Sequence, residues 1–470
     1  MNRKQGTFLF LISHFLFLIL LTSCSIQQKI SKSAKQVIND SSLLTAHVGI
    51  SIYEPATGKF WYNYQGDKYF VPASNTKIPT CYAAMKYLGD SLVGLRYIYN
   101  KSPFGNYTVI PTGDPTFLHP DFKTQNVLDF FQRNKNEGFY FDQFNWFELP
   151  FGSGWTWSDY DQGYMAERSP FPMYGNVVRF KRTGNFSYKY TDQDSNRVAA
   201  IGLDVYPSFF RKEMNFYSER PSNNLFTLTR DINENLFYIT PAKSTFASNE
   251  VPFITNGVFT ALKLLNDSLH INITSNGTPN PLYEVGGSYG IEIKRYSVIH
   301  SQPTDSLLKP MMHRSDNFFA EQSLLMVSNE KLGMMSDEKI IDTLLKTDLK
   351  DLPQKPRWVD GSGLSRYNLF TPQDFVAILN KMKNEFGMER IKVILPTGGT
   401  GTISNYYKAD SNYIFGKTGT LSGVVAFSGF LYTKKGKLLI FSTLVNNHQA
   451  SSTAIRRAVE KFIQGIREKY

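Results

Sequence analysis

Three short groups of polar residues have the types and spacing needed for nucleophilic catalysis by a serine. In the first, Ser74-Asn75-Thr76-Lys77, a hydroxyl and an amine lie three residues apart, which places both on one face of a helix. A serine is a weak nucleophile until a base removes its proton, and a lysine can be that base only when neutral. An unperturbed lysine titrates at about 10.4, and burial or a second nearby cation lowers that pKa. Alone, this group is more typical of a solvated helix start.

The other two groups lie far downstream, and each has an ordinary structural interpretation. Ser315-Asp316-Asn317 precedes an apolar run and, alone, is a helix N-cap. Lys417-Thr418-Gly419-Thr420 follows the strand-like run 413–415 and, alone, is a turn before the next strand. Their order changes the interpretation. An S-x-x-K near the N-terminus, an S-D-N that opens a later helix and a late K-T-G on a strand are the signature set of penicillin-binding proteins and β-lactamases.

The resemblance covers nearly all of the chain beyond its first residues. It extends to five stretches: Pro72-Ala73-Ser74-Asn75-Thr76-Lys77, Gly113-Asp114-Pro115, Gly154-Trp155-Thr156-Trp157, Asp360-Gly361-Ser362-Gly363-Leu364-Ser365 and Gly416-Lys417-Thr418-Gly419-Thr420-Leu421. Together they resemble the class C low-molecular-mass penicillin-binding proteins, which are serine-type D-alanyl-D-alanine carboxypeptidase/endopeptidases. That family inserts extra domains between its first two motifs, and here 238 positions separate Lys77 from Ser315. The much shorter gap of class A β-lactamases argues against that class.

The resemblance implies catalytic roles for four residues. Ser74 would be the acylated nucleophile and Lys77 its general base. Ser315 would relay a proton to the leaving D-alanine, and Asn317 would hold Lys77 and the substrate amide. The reaction would be an acyl transfer in two steps, in which D-alanine leaves and water then hydrolyses the acyl-enzyme. No cofactor is implied, and β-lactam antibiotics would be trapped at the first step.

The resemblance also implies a substrate-binding role for the strand Lys417-Thr418-Gly419-Thr420. Lys417 would be the second cation that keeps Lys77 from protonating, and it would attract the terminal carboxylate of a peptidoglycan stem peptide. The hydroxyls of Thr418 and Thr420 would bind that carboxylate. The backbone N–H groups of Ser74 and Thr420 would form the oxyanion hole. The strand edge would pair with the extended peptide by strand addition.

Four details are not explained by these roles. Pro79 lies five residues after Ser74 and cannot donate a backbone hydrogen bond, so the sequence predicts a tight first turn or a kink there. Thr420 stands where many relatives have Ser. Asp360 and Ser362 match the family without an evident role. Two tryptophans are predicted to belong to the core of the inserted region rather than to bind substrate: Trp155 and Trp157.

The N-terminus is predicted to direct export. Arg3 and Lys4 precede an apolar segment, 8–21, that is too short to span a bilayer comfortably but suits a signal-peptide core. Leu21-Thr22-Ser23-Cys24 follows and resembles the lipobox of bacterial lipoproteins. We therefore expect a signal peptide at 1–23, lipidation of Cys24, a linker at 24–40, and a protein tethered to a membrane at its periplasmic face. Ordinary secretory cleavage or an uncleaved anchor are the alternatives.

Composition and element order predict an α+β fold. Apolar residues make up 41% and charged residues 19%, so the body should fold, and 15% aromatic residues favour β-rich structure. Strands at both ends of the chain, with helices between them, predict an antiparallel sheet flanked by helices. The predicted β-lactamase/transpeptidase-like domain comprises 41–95 and 251–470. A β-rich inserted region at 96–250 splits it.

Other kinds of partner have little support in the sequence. A net charge of +11 is a mild excess over 470 residues and indicates weak attraction to a cell wall or lipid headgroups rather than nucleic acid. The seven histidines show no metal-ligand spacing, and no nucleotide-binding motif is present. The sequence does not indicate an oligomeric state.

Three rival functions remain open. Gly286-Gly287-Ser288-Tyr289-Gly290 fits the G-x-S-x-G elbow of α/β-hydrolases, with His448 as a downstream base, although the flanking segments lack the strand–turn–helix pattern. A serine β-lactamase on the same scaffold is the second. The third is a catalytically inactive, lipid-tethered wall-binding protein.

Overall fold

The computed structural model of the chain describes residues 28, 30–35, 38, 40–41, 43–102, 105–190, 198–216, 227–240, 248–275 and 296–470. The α-helices, numbered in chain order, are α1 (Lys77–Tyr87), α2 (Asn126–Arg133), α3 (Phe259–Leu269), α4 (Thr304–His313), α5 (Asn317–Leu332), α6 (Asp337–Lys346), α7 (Pro372–Ile394) and α8 (Ser452–Lys469). Short 3-10 turns lie at Ala73–Thr76, Trp157–Asp159, Gly163–Met165, Tyr174–Asn176, Ser208–Glu213, Gly401–Ile403 and Lys408–Asp410.

The strands, also in chain order, are β1 (His47–Glu54), β2 (Lys59–Tyr64), β3 (Ser91–Ser102), β4 (Gly105–Ile110), β5 (Gly138–Phe141), β6 (Val177–Tyr190), β7 (Val198–Tyr206), β8 (Met214–Phe216), β9 (Thr227–Arg230), β10 (Phe237–Thr240), β11 (Ser248–Pro252), β12 (Asn272–Ser275), β13 (Ser297–Pro303), β14 (Ile414–Leu421), β15 (Val424–Tyr432) and β16 (Leu438–Asn446).

The main sheet joins the two ends of the chain. Its strand order is β14-β15-β16-β1-β2, and each neighbouring pair is antiparallel. Strand β1 pairs with β16 in a register that runs from His47 opposite Asn446 to Tyr53 opposite Ile440. The prediction of an antiparallel sheet closed by both ends of the chain is confirmed.

Helices cover both faces of this sheet because its central strands are apolar on both sides. Side chains alternate across a strand, so Ala426 and Phe430 of β15 face α1, α5 and α7, whereas Val425 and Phe427 face α8. Helix α8 buries the apolar stripe that its periodicity predicts, with Ala458 only partly buried: Ile455, Ala458, Val459, Phe462, Ile463 and Ile466. The site residues therefore sit on a sheet that is packed from two sides.

The middle of the chain builds separate β-sheets around a core rich in phenylalanine. One sheet has the order β12-β5-β4-β3-β13 and mixes parallel and antiparallel pairs, and two three-stranded sheets have the orders β11-β6-β7 and β8-β10-β9. Their shared core includes closely spaced rings, among them Phe117, Phe131, Phe139, Phe141 and Phe171. This region accounts for much of the aromatic content.

The strand pairing of the middle region extends past the predicted limits of 96 and 250. Strand β3 begins at Ser91, and β13, which pairs with it, ends at Pro303. Helix α3 packs into the phenylalanine-rich core and not onto the main sheet. The apolar periodicity of α3 indicates a buried face but does not specify which core that face meets. For this reason we predicted from sequence that α3 belongs to the transpeptidase-like domain.

The segment predicted as a linker at 24–40 is helical over 30–35 and packs on the sheet. Ile30 and Ala34 are buried in the core formed with α8, and Lys469 Nζ donates to Ser33 Oγ at 2.9 Å. The segment looked like a linker because it is polar overall, but its few apolar residues share one helical face. The predicted signal peptide, Cys24 and the Gly286–Gly290 motif lie outside the described residues. Within the described residues, no helix is both long and apolar enough to cross a membrane.

Candidate active site

The turn that carries Ser74 is a 3-10 turn, Ala73–Thr76, that leads directly into α1. The α-helix proper begins at Lys77, so Pro79 falls in its first turn, where a backbone N–H has no intrahelical partner to lose. The predicted tight turn is therefore present. Ala73 has a φ of +47°. A Cβ on Gly363 would lie only 1.9 Å from the carbonyl oxygen of Ala73, so only glycine fits there. The serine turn thus packs directly against the segment 360–365.

Lys77 is fully buried and makes three side-chain hydrogen bonds. Its Nζ lies 3.1 Å from Ser74 Oγ, 2.7 Å from Asn317 Oδ1 and 2.7 Å from the carbonyl oxygen of Ser362. The two shorter contacts are to carbonyl oxygens, which can only accept. A neutral amine has two N–H groups and one lone pair, so when these contacts are kept the lone pair faces Ser74 Oγ.

Burial lowers the pKa of Lys77 to about 8, because a charged ammonium loses its hydration inside the protein. The carboxylates of Asp360, Glu321 and Asp316 act in the opposite direction. The family resemblance implied that Lys417 would help to keep Lys77 neutral. Burial of Lys77 itself is the main cause, and burial together with repulsion from Lys77 lowers the pKa of Lys417 well below its usual value.

Ser315 and Asn317 reach the site from the junction of α4 and α5. Asp316 caps α5, and its carboxylate accepts from the Phe319 backbone N–H at 3.0 Å. Ser315, just before the cap, has a φ of +62°, in the left-handed region that costs non-glycine residues energy. Its Oγ accepts from Lys417 Nζ at 2.8 Å, and Asn317 Oδ1 accepts from Lys77. The S-D-N group therefore touches both lysines.

Strand β14 brings Lys417, Thr418, Gly419 and Thr420 to the edge of the main sheet beside the serine turn. A Cβ on Gly419 would lie 2.6 Å from the Pro72 carbonyl oxygen and 3.0 Å from the Ser74 backbone nitrogen. Only glycine allows this approach, which brings the backbone of the serine turn against the strand. The predicted residues of all three motifs are thus assembled in one cleft.

The outer edge of β14 presents backbone groups toward that cleft. Gly398 N–H donates to the Ile414 carbonyl, and Gly416 N–H donates to the Pro396 carbonyl, both on the side away from β15. Backbone groups alternate sides along an antiparallel strand. The N–H and C=O of Thr418 and Thr420 therefore point to the same outer side.

The two threonine hydroxyls of the strand have different partners. Thr418 Oγ1 lies 2.8 Å from Thr402 Oγ1, and Thr420 Oγ1 accepts from Arg456 Nη2 at 2.5 Å. Thr418 is buried, whereas Thr420 is exposed to the cleft. Nothing in the sequence indicates the contact from Arg456, because this arginine is one of several charged residues along α8.

The segment 360–365 has a role that the sequence did not reveal. The carboxylate of Asp360 accepts from Gly363 N–H, Ser365 N–H, Trp155 Nε1 and Asn368 Nδ2, at 2.6 to 3.0 Å. Glu321 Oε1 accepts from Ser362 N–H at 2.7 Å. These bonds fix the loop that presents the Ser362 carbonyl to Lys77. A role exercised through a backbone carbonyl leaves no side-chain pattern to recognise.

The two tryptophans predicted as core differ from each other. Trp155 is partly exposed and supports Asp360, whereas Trp157 is 75% exposed and is not part of a core. From the same region Tyr164 offers its carbonyl to Asn317 Nδ2 at 3.0 Å, so the middle region reaches the cleft. In the described ranges, no group of three or more potential ligand side chains is arranged to hold a metal ion.

Comparisons with known proteins agree with the family resemblance. Residues 30–212 and 255–466 match the D-Ala-D-Ala carboxypeptidase 3 (S13) family. The chain is 25% identical over 439 residues to D-alanyl-D-alanine carboxypeptidase DacB of Haemophilus influenzae, a match that covers 87% of each chain. It is also 25% identical over 444 residues to a D-alanyl-D-alanine carboxypeptidase of Actinomadura sp. strain R39, covering 88% of this chain and 80% of that protein.

Solved structures support the fold. The crystal structure of penicillin binding protein 4 (dacB) from Haemophilus influenzae superposes with a TM-score of 0.68 at 19% identity, covering 93% of this chain and 98% of that one. A second structure of that protein, complexed with a β-lactam, superposes with a TM-score of 0.62. The family match spans most of the sequence and includes all three motifs, so the chain belongs to the D-Ala-D-Ala carboxypeptidase 3 (S13) family.

Proposed function

We propose that this protein is a serine-type hydrolase of the D-alanyl-D-alanine bonds in peptidoglycan stem peptides and that it acts through an acyl-enzyme on Ser74. One observation carries the proposal: Lys77 is buried, and two carbonyl acceptors orient its lone pair toward Ser74 Oγ. Neutral Lys77 would take the hydroxyl proton while Ser74 attacks the penultimate carbonyl.

The oxyanion formed by that attack would be stabilised by two backbone N–H groups. The backbone nitrogen of Ser74 lies beside Gly419. Thr420 follows Gly419, and its N–H is on the outer edge of β14. Donors that are fixed before the reaction stabilise developing charge without reorganisation. The close approach at Gly419 supports this pairing because it sets the spacing between the two donors.

Proton transfer to the departing D-alanine would use Ser315. Its Oγ accepts from Lys417 Nζ, so the hydroxyl proton of Ser315 is left to be donated to the leaving amine. Lys417, Thr418 and Thr420 would receive the terminal carboxylate of the substrate. The outward-facing backbone of Thr418 and Thr420 would pair with the extended stem peptide. Water would then hydrolyse the acyl-enzyme and regenerate Ser74.

The decisive experiment is the intact mass of the protein after treatment with benzylpenicillin. We expect the wild type to gain the mass of one penicillin and Ser74→Ala to gain none, while Ser288→Ala, altered in the alternative serine motif, still gains one. Labelling of Ser74→Ala, or an unlabelled wild type, would contradict the proposal. Release of the drug within minutes would instead favour the serine β-lactamase.

The proposed function includes both trimming of terminal D-alanine and cutting of cross-links. Release of free D-alanine from a monomeric stem peptide would measure the first activity, and conversion of cross-linked muropeptide dimers to monomers the second. Tyr164 contacts Asn317 through its backbone carbonyl, so the middle region adjoins the site at which both substrates would bind.

We also propose, from the sequence, that the protein is exported and anchored to a membrane at the periplasmic face by lipid on Cys24. The lipobox Leu21-Thr22-Ser23-Cys24 after an apolar segment supports this proposal. Metabolic labelling with a palmitate analogue should mark the wild type and not Cys24→Ala. Equal labelling of both would contradict the anchor.

A further inference from the structure

Helix α8 brings a second basic side chain, besides Lys417, to the carboxylate-binding end of the cleft. Arg456 on α8 donates through Nη2 to Thr420 Oγ1. Its charge also acts on the neighbouring lysine, since repulsion from Arg456 contributes to the lowered pKa of Lys417. Arg456 therefore lies close to two of the three side chains that are proposed to receive the substrate carboxylate, Thr420 and Lys417.

Arg456 lacks the anionic partner that a half-buried guanidinium normally has. Within the described ranges of the chain, no ion pair includes Arg456, and its Nε is buried without a hydrogen-bond partner. The next residue, Arg457, is a useful contrast because it is exposed and pairs with Glu460 at 2.5 Å. Two cations held near each other without a counter-charge disfavour the free cleft and favour the arrival of an anion.

The contact with Thr420 also determines how that hydroxyl can act. A guanidinium can only donate, so Thr420 Oγ1 must accept from it. The hydroxyl proton of Thr420 is then left to be donated to an incoming oxygen anion. Without Arg456, the hydroxyl could rotate and offer its oxygen instead, and the positive field at this end of the cleft would rest on Lys417 alone.

We propose that Arg456 is a specificity-determining residue that makes the cleft select substrates with a free C-terminal carboxylate. The inference rests on the proposed function, in which Lys417, Thr418 and Thr420 bind that carboxylate. It adds a residue from outside the three motifs, which acts through the orientation of Thr420 and through its own charge. Ligands without a carboxylate gain nothing from either effect.

The test compares ligands with and without the carboxylate in Arg456→Gln, with Arg457→Gln as the matched control. Both variants remove one charge from the same helix. For an acyl-D-Ala-D-Ala peptide we expect Arg456→Gln to raise KM about tenfold, the typical effect of one charge-assisted hydrogen bond, with kcat changed less than about twofold. Acylation by benzylpenicillin should slow similarly, while acylation by its methyl ester should be unchanged. Arg456→Lys should recover part of the loss.

The possible outcomes separate this inference from the function on which it rests. A wild type inert toward peptide, penicillin and ester would overturn the proposed function and the inference with it. An active wild type in which Arg456→Gln loses activity equally toward benzylpenicillin and its ester would overturn the inference alone, as would kinetics identical to those of Arg457→Gln. Unchanged ester acylation also shows that the variant is folded.

Discussion

Gly419→Ala tests whether the close approach of strand β14 to the serine turn is required for catalysis. The new Cβ would lie 2.6 Å from the Pro72 carbonyl oxygen, whereas ordinary contacts begin at 3.4 Å, so the turn must retreat by about 0.8 Å. A shift of about 1 Å in a catalytic group costs about 100-fold in rate. We therefore expect the second-order rate of acylation by benzylpenicillin to fall by about 100-fold.

Gly416→Ala is the matched control on the same strand. Its Cβ would lie 2.7 Å from the Ser428 carbonyl oxygen, on the side of β15 and away from Ser74. Both substitutions overpack the sheet and should lower the free energy of unfolding by about 1–3 kcal/mol. Only Gly419→Ala displaces the proposed oxyanion donors.

The assay follows covalent adduct formation by intact mass, at a temperature where near-UV circular dichroism shows both variants fully folded. We expect Gly416→Ala to acylate faster than Gly419→Ala, since its clash is with strand β15 and not with the turn that carries Ser74. If Gly419→Ala acylates as fast as Gly416→Ala, the serine turn does not depend on this contact. The oxyanion pairing of Ser74 and Thr420 would then have to be abandoned.

Four further predictions follow from the burial and hydrogen bonds of individual side chains. Because burial lowers the pKa of Lys77 to about 8, the acylation rate should rise with pH to about 8 and then level off, and a plateau already at pH 6 would contradict its role as base. In the unfolded chain Lys77 keeps its proton up to its ordinary pKa of 10.5, so the cost of burying it is fully present below pH 8. The stability of the wild type relative to Lys77→Met, measured by urea denaturation, should therefore increase between pH 8 and 10.5. Asp360→Asn leaves buried donors unpaired and should lower the free energy of unfolding by about 2 kcal/mol or more, as well as slowing acylation, whereas Trp155→Phe should cost about 1 kcal/mol. Trp157→Ala should change stability by less than about 0.5 kcal/mol in the same experiment, since a larger loss would mean that this exposed ring packs against something.

Sequence reasoning succeeded where chemistry and local pattern coincide. The three motifs are recognisable because a nucleophile, its base and an anion-binding strand require particular side chains in a particular order. The continuous apolar run Val424–Tyr432, bounded by turn residues, indicates a strand, and β15 has the same bounds. The buried face of α8 followed from its 3.6-residue period.

Reasoning from sequence failed where position in the fold decides the role of a residue. The Ser362 carbonyl and the Asp360 carboxylate act through backbone geometry, which any residue of suitable shape could provide. Arg456 is one of two adjacent arginines, and only the packing of α8 shows which of them faces Thr420. Trp157 carries a side chain usually found inside proteins, yet it lies on the surface.

The pairing of an early strand, β1, with a late strand, β16, bears on the order in which the site is assembled during synthesis. Ser74 is synthesised early, but Lys417 follows 343 positions later, and the strand that flanks β1, β16, is later still. Contacts between such distant residues form slowly, because a long loop must close, at a cost in chain entropy, before the contacts can stabilise the fold. A nascent or truncated chain therefore carries its nucleophile without the partners that activate it. The site can therefore form only after Lys417 and strand β16 have both been synthesised.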